Sequence, residues 1–370
     1  MKTDLCRRLD ISVPLFAFTR SPEVVVEVCK AGGMGVLGAI ATSDEELAAK
    51  LDWIDAHVGG RSYGVDVVIP AGHVGGSGAM GSVADLQAML PPAHREFVDT
   101  LLARHGVPPL PEAVTTHEAL QTWTDKVSRR QVEIALKHPI KLIANALGAP
   151  PLDVIEAAHA AGCLVAALAG SVRHARKQAD GGVDIIVAQG TEAGGHCGEI
   201  STFVLTPAVV DAVGDTPVLT AGGVGTGRQM AAALALGAQG VWTGSIWLTT
   251  AEADTAPVLK DKLVAAGYRD TVRSRAISGK PARQLKTAWS DAWSDPDGPG
   301  PLPMPLQFML TAEAVARIHH HADQGNDNPL LTSPVGQIVG RMNAIRPARE
   351  VADELISGCA ATLAGLRQLG

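Results

Sequence analysis

The chain has 370 residues, 46% of them hydrophobic and 19% charged, with a formal net charge of −7. That apolar content suits one large α/β domain with an excursion, or two domains. Lys and Arg are scattered, so no nucleic-acid groove and no polybasic membrane patch is expected. No apolar run approaches the ~20 residues that cross a bilayer, and the N-terminal MKTDLCRRLDI has no apolar signal core. The five cysteines, Cys6, Cys29, Cys163, Cys197 and Cys359, form no C-x-x-C pair. Together these features predict a cytoplasmic protein in reducing surroundings. Charge and composition leave both a monomer and a homodimer open.

The predicted elements follow one repeat. A helix-like segment ends at glycine and a short Val/Ile/Leu-rich run follows, as at Lys30-Ala31-Gly32-Gly33, Ala160-Ala161-Gly162, Ala179-Asp180-Gly181-Gly182 and Leu236-Gly237. Glycine just past a helix accepts a left-handed conformation that costs other residues about 1 kcal/mol or more. The runs are continuously apolar, as expected of parallel strands buried on both faces. Strands are predicted at 13–18, 35–39, 64–69, 141–144, 164–168, 184–188, 218–220 and 240–242. The intervening helices are predicted at 22–30, 44–57, 116–137, 151–161, 172–179, 207–213 and 227–236. Eight βα units favour a (β/α)8 TIM barrel over a doubly wound sheet.

Two stretches depart from the repeat. An excursion follows the third strand, spanning 70–115, with a Gly/Pro-containing segment at 70–81 and helices at 83–89 and 93–106. It belongs on the C-terminal, active-site face of the barrel. A second, 271–345, follows the eighth strand and is predicted to be a lid or cap with a helix over TAEAVARIHHHADQG. The barrel proper then comprises 1–270 and 346–370, closed by a C-terminal helix over 348–369.

Three of the strand ends carry small residues. The sixth strand runs into Gln189-Gly190-Thr191-Glu192-Ala193-Gly194-Gly195-His196-Cys197-Gly198. The seventh runs into Ala221-Gly222-Gly223-Val224-Gly225-Thr226-Gly227, and the eighth into Thr243-Gly244-Ser245. Residues without Cβ let backbone N–H groups approach an anion, and the next helix adds the positive end of its dipole. Loops after strands seven and eight are where barrels grip phosphate. Gly222, Gly223, Gly244 and Ser245 are therefore expected to bind phosphate, with plain tight turns as the alternative. GGVGTG is not a dinucleotide fingerprint, because Gln239 rather than an acid stands near the ribose-binding distance.

His196 follows two glycines on the same rim and can act as a general base or hydrogen-bond donor. Cys197 beside it has no evident partner to make it a nucleophile. Asp66, in the C-terminal half of the third strand, is a carboxylate whose burial calls for a ligand or a helix N-terminus. Lys280 and Arg283 in the lid could meet an anionic substrate or serve as solvated surface charges. His319, His320 and His321 point about 100° apart on a helix. His73, His94, His105 and His117 show no ligand spacing, so no metal site is expected.

The combination of Q-G-x-E-A-G-G-H-x-G, P-V-L-T-A-G-G-V-G-T-G and G-A-Q-G-V-W-T-G-S resembles the nitronate monooxygenases, formerly called 2-nitropropane dioxygenases. VPLFAF…CKAGGMGVLGA resembles that family's first βα unit, and GKPARQL its lid segment. The resemblance covers most of 11–249. It implies a TIM barrel that binds FMN, with Gly222, Gly223, Gly244 and Ser245 at the phosphate. Ala17, Phe18 and Thr19 would approach the flavin ring, Gln189, Gly194 and Gly195 would flank it, and His196 would face a small-molecule substrate. The implied reaction passes electrons from an alkyl nitronate to the flavin, with O2 as co-substrate and nitrite and a carbonyl compound as products.

Three departures stand out. Ala17-Phe18-Thr19 replaces a common Ala-Pro-Met, and Asp66, expected with them among the cofactor-binding residues, lies nearest to a common Asn. Ala146-Leu147-Gly148 replaces a His-Phe-Gly found after strand four in many nitronate-oxidising members. The last leaves room for an alternative, an FMN reductase that takes hydride from NAD(P)H to an enone, an enoyl-CoA or a quinone. Lys280 and Arg283 would then meet an anionic or CoA-linked substrate.

Overall fold

A computed structural model describes residues 1–69, 83–111 and 125–368. All eight expected strands are present and close into one parallel barrel. They are β1 (Leu15–Thr19), β2 (Met34–Gly38), β3 (Gly64–Val67), β4 (Leu142–Asn145), β5 (Leu164–Ala169), β6 (Ile185–Gln189), β8 (Val218–Ala221) and β9 (Gly240–Thr243). Between β6 and β8 lies a two-residue strand, β7 (Gly195–His196), which is not part of the barrel. Register between β1 and β9, with Phe16 beside Trp242, completes the ring. The turn glycines behave as expected: Gly162 and Gly237 sit at φ +74° and +93°.

Side chains alternate inward and outward along each strand. Phe16, Met34, Leu142, Ile185 and Leu219 fill the interior, together with Leu5, Leu9 and Ile11 from the N-terminal segment. The short helix Asp4–Arg8 plugs the lower end, where the Leu5 amide donates to Gln239 Oε1 at 2.8 Å. Gln239 therefore belongs to the closed floor of the barrel, away from the rim. The outward residues of β3 to β6, such as Val65, Val67, Ile143 and Ile186, pack under the helices.

Helices Pro22–Lys30 and Asp44–His57 have the expected bounds. The helix expected to begin at Pro207 instead runs Thr202–Val213 with the proline inside it. A proline nitrogen cannot bond the carbonyl four residues back. That residue is Phe203, 69% exposed. The cap helix likewise starts earlier than expected, at Leu306, and runs to Asp323 directly after Pro305. The stretch 70–82, with His73, and the stretch 112–124, with His117, lie outside the described residues.

The two departures from the repeat share a core. Leu86, Val98, Leu101 and Leu102 from the excursion helices Val83–Ala88 and Pro92–Arg104 pack with Trp289, Trp293, Met309 and Ile318 of the cap. Phe97 meets Trp293 edge-on at 4.9 Å. Arg317 donates to the carbonyls of Val107 and Pro108, and Asn328 to that of His105. Leu259 and Leu263 join the same core, so the cap draws on the chain from the helix Pro257–Ala265 onward.

The C-terminal helix Ala348–Leu366 returns to the barrel and crosses the helix Gly227–Ala235 backbone to backbone. A Cβ on Gly227 would run into the backbone of Gly358 and Cys359. Gly227→Ala should therefore force the two helices apart, an overpacking cost of about 1–3 kcal/mol. A drop in melting temperature is the expected readout.

Candidate active site

The C-terminal ends of the barrel strands form a mouth whose floor is the stacked pair Phe16 and Trp242, ring centroids 6.5 Å apart. Above it, Phe18 points inward. Its ring lies where a Cβ on Gly38 would sit 2.9 Å away, and it faces Gly244 on the other side. Ala17 is fully buried among Val24, Val28 and Trp247 on the outer face of β1, so it offers the mouth only its backbone. Thr19 is also buried, with its hydroxyl accepting from the Ser21 amide. Of the three residues expected at the end of strand one, only Phe18 presents a side chain to the mouth.

The loops after the seventh and eighth barrel strands have the geometry of an anion cradle. Gly222 and Gly223 take φ +98° and +71° in succession, which turns consecutive amides toward one side. Among the described residues, the N–H groups of Gly222, Gly223, Gly244 and Ser245 donate to no backbone carbonyl. Ser245 Oγ accepts from the Gly336 amide at 2.8 Å, which leaves its own proton to donate. The helix that follows is self-capped. Thr226 Oγ1 accepts from the Gln229 amide, and Gln229 Oε1 accepts from the Gly225 amide. This side-chain capping means that the helix contributes its dipole, while direct bonds to an anion fall to the two glycine loops. These residues fit a phosphate group.

The loop after β6 is held from three sides. Glu192 caps the helix Thr202–Val213, with Oε2 accepting from the Thr202 amide at 2.9 Å and from its hydroxyl at 2.8 Å. The Gln337 amide donates to the Glu192 carbonyl at 2.9 Å. Gly194 packs so closely on Val335 and Gly336 that a Cβ there would clash. A strap of the cap, 335–338, thus ties the loops after β6, β8 and β9 together. Gln189 ends β6 on the inward face, half-buried in the mouth.

The third fastening is a sheet that the sequence did not reveal. In the cap, β10 (Thr271–Ser274) and β11 (Ala282–Leu285) form an antiparallel hairpin, and β11 adds β7 as a third strand. His196 stands opposite Ala282, and Gly195 opposite Arg283. Gly195 has φ +76° and open space where a Cβ would be. Arg283 corrects an expectation. It is 9% exposed, its Nε donates to the Thr191 carbonyl at 2.8 Å and its Nη1 to Thr271 Oγ1 at 3.2 Å. These bonds fasten the cap to the loop, so Arg283 is not a solvated surface charge. Lys280 is exposed.

His196 Nε2 lies 2.7 Å from Ser278 Oγ. The serine is buried and bracketed by Lys280, whose amide donates to Oγ and whose carbonyl can accept from it, both at 3.3 Å. Burial, with a smaller effect from the Lys280 charge, pushes the imidazole down to about 4. His196 is therefore neutral at physiological pH. Cys197 is half-buried with its thiol on the Thr191 carbonyl, and burial raises it away from the reactive thiolate.

On the far wall, Asp66 lies 3% exposed between Gly38 and Ala144 in register. Its neighbours Val65 and Val67 belong to the outer core, so the carboxyl points into the barrel. Burial alone raises it to about 8. After β4, Asn145 is fully buried and braces the turn, accepting from the Ile69 amide and donating to the carbonyls of Ile69 and Gly148. The three histidines of the cap helix diverge: His320 meets Gln324, whereas His319 is driven below its usual range by burial beside Arg20 and Asp323.

Known proteins resemble this chain along nearly its whole length. A Mycobacterium tuberculosis protein, Rv1533, provisionally named a monooxygenase, is 48% identical over 372 residues, covering 100% of this chain and 99% of its own length. A Staphylococcus aureus (strain Newman) protein provisionally named a nitronate monooxygenase is 28% identical over 96% of this chain and 97% of its own. The solved structure of nitroalkane oxidase from Streptomyces ansochromogenes has the same fold, with TM-score 0.77 and 24% identity over 98% of this chain and 99% of that one. The family model described as nitronate monooxygenase matches residues 9–358. On this match, which spans the barrel, the glycine loops and the cap, the chain belongs to the nitronate monooxygenase family of oxidoreductases.

Proposed function

We propose that the protein holds FMN in the barrel mouth and oxidises alkyl nitronates with O2 to a carbonyl product and nitrite. The reading rests on the placement of His196 on the loop after β6, beside the neighbouring loops that offer the amides of Gly222, Gly223, Gly244 and Ser245, which among the described residues donate to no backbone carbonyl. Those four residues would hold the phosphate, with Phe18 and Gln189 beside the ring. When bound, FMN supplies the electron transfer that no side chain here can perform.

The chain's own groups bind, orient and exclude water. His196, neutral and fixed by Ser278, can accept a hydrogen bond or a proton from the substrate without first losing one. The cap strap and β11 close the loop over the site, which keeps water from competing for those polar contacts. The nearby Lys280 charge favours an anionic substrate such as a nitronate at the entrance.

A second reading is favoured by one feature. Ala146-Leu147-Gly148 presents an apolar turn after β4, held by Asn145, where many nitronate-oxidising relatives carry His-Phe-Gly. An enone or enoyl thioester reduced by NAD(P)H would suit that surface. Rapid anaerobic bleaching of the flavin by NADH or NADPH is the result that would move the assignment to a reductase.

Aerobic turnover of propionate-3-nitronate or the 2-nitropropane anion should release nitrite, and flavin-loaded enzyme that released none would exclude the first reading. His196→Ala should retain flavin and lose about 10²–10⁴-fold in kcat/KM. NMR titration of the His196 imidazole should give protonation near pH 4 in the wild type. In Lys280→Gln the midpoint should rise, because removing a nearby cation makes the imidazolium easier to form. An unchanged midpoint would mean that burial acts alone.

A further inference from the structure

His196 has two ring nitrogens, and Ser278 meets Nε2 at 2.7 Å. A neutral imidazole donates from one nitrogen and accepts at the other. The serine contact therefore decides which nitrogen can act as a base, and does more than orient the ring.

The turn that carries Ser278 is tied down by the cap. The Ala276 carbonyl accepts from Trp289 Nε1 at 3.3 Å and from Gln307 Nε2 at 2.9 Å. The Ile277 carbonyl accepts from Thr311 Oγ1 at 2.6 Å. The Gly279 amide donates to the Arg275 carbonyl at 2.9 Å, and the Gly279 carbonyl accepts from Arg275 Nε at 2.8 Å. Gly279 takes φ +81°, and a Cβ there would lie 2.5 Å from the Met304 nitrogen. The hydroxyl of Ser278, 4% exposed, is thus placed by groups other than the histidine.

Three groups surround Ser278 Oγ, which has one proton and two lone pairs. They are His196 Nε2 at 2.7 Å and the amide and carbonyl of Lys280, both at 3.3 Å. The Lys280 amide can only donate, and its carbonyl can only accept. One arrangement serves all three. The hydroxyl proton goes to the Lys280 carbonyl, and Oγ accepts from the Lys280 amide and from Nε2–H. The reverse arrangement would pass the serine proton toward the imidazole, as in a hydrolase dyad, and would take it from the Lys280 carbonyl.

We infer that Ser278 is a positioning residue that holds the His196 proton on Nε2, so that Nδ1 is the nitrogen that accepts a hydrogen bond or a proton from the substrate. The inference rests on the proposed function, in which His196 meets the substrate. When Nδ1 takes up a proton, the ring becomes an imidazolium whose Nε2–H already points at a lone pair of Oγ. No second proton moves, and Ser278 keeps its own. Hydrogen bonds from a charged donor are stronger than neutral ones, so Ser278 favours the protonated ring over the resting one.

The test is ¹⁵N NMR of the flavin-loaded enzyme with ring-labelled histidine. The chain has 12 histidines, and the His196 signals are those missing from His196→Ala. The wild type should show a protonated Nε2 and an unprotonated Nδ1. The reverse pattern, or two averaged signals, would overturn the inference. In Ser278→Ala the two signals should average, and nitrite release from propionate-3-nitronate should slow by about 10–100-fold, the size expected for one hydrogen bond to a charged group. The loss should fall on kcat more than on KM, because the bond strengthens only once the ring is protonated. Ser278→Thr keeps the hydroxyl and should recover both the wild-type ¹⁵N pattern and most of the rate. Equal losses in the alanine and threonine variants, at an unchanged melting temperature, would show that the site needs a small side chain and not a hydroxyl.

The two levels fail separately. A wild type with the reverse tautomer that still releases nitrite ends this inference and leaves the proposed function standing. A flavin-loaded enzyme that releases no nitrite ends the proposed function, and with it the use of Nδ1 by the substrate, whichever nitrogen carries the proton.

Discussion

The site depends on a backbone interaction between two distant segments, the pairing of Gly195–His196 with Ala282–Arg283. The barrel supplies the rim, but it does not orient the histidine. His196 lies on a loop with glycines on both sides, and such a loop alone would sample many conformations. By adding that loop to the cap hairpin as a third strand, the fold fixes the backbone, and Ser278 then fixes the ring. Arg283 on the Thr191 carbonyl and Gln337 on the Glu192 carbonyl fasten the same loop from two further directions. The cap is therefore part of the site, and its shared core with the excursion helices gives the pairing a rigid support.

The electrostatic character of the mouth follows from burial. Burial pushes both the His196 imidazole and the Asp66 carboxyl toward the uncharged form, the first downward and the second upward. The result is a mouth of neutral donors and acceptors at physiological pH, with the fixed positive contribution coming from oriented amides at Gly222, Gly223, Gly244 and Ser245 and from Lys280 at the entrance.

The barrel was legible in the sequence because parallel strands buried on both faces read as short apolar runs, each introduced by a helix-ending glycine. All eight lay within two residues of their expected ends. Helix starts were less legible near proline: Pro207, taken as a start, sits inside its helix, and the proline-rich run before Thr311 hid a helix that already begins at Leu306. The glycine loops were legible because the backbone conformations they adopt select for residues without Cβ. Ser278 was not, since it meets His196 across 82 residues and no local pattern encodes the register of β7 on β11. The partners of Arg283 at Thr191 and Thr271 were hidden for the same reason, being set by that register. Ala17 and Thr19 were correctly placed at the end of a strand, but strand alternation turns their side chains into the core.

In the proposed function, the amides of the seventh and eighth strand loops hold the phosphate of a flavin mononucleotide. The most direct measurement is the mass of the chromophore released on denaturing the purified protein. One FMN per chain is expected, lost in variants that place a side chain at Gly222 or Gly223. A colourless protein that takes up no flavin, or one that binds riboflavin as tightly as FMN, would contradict it.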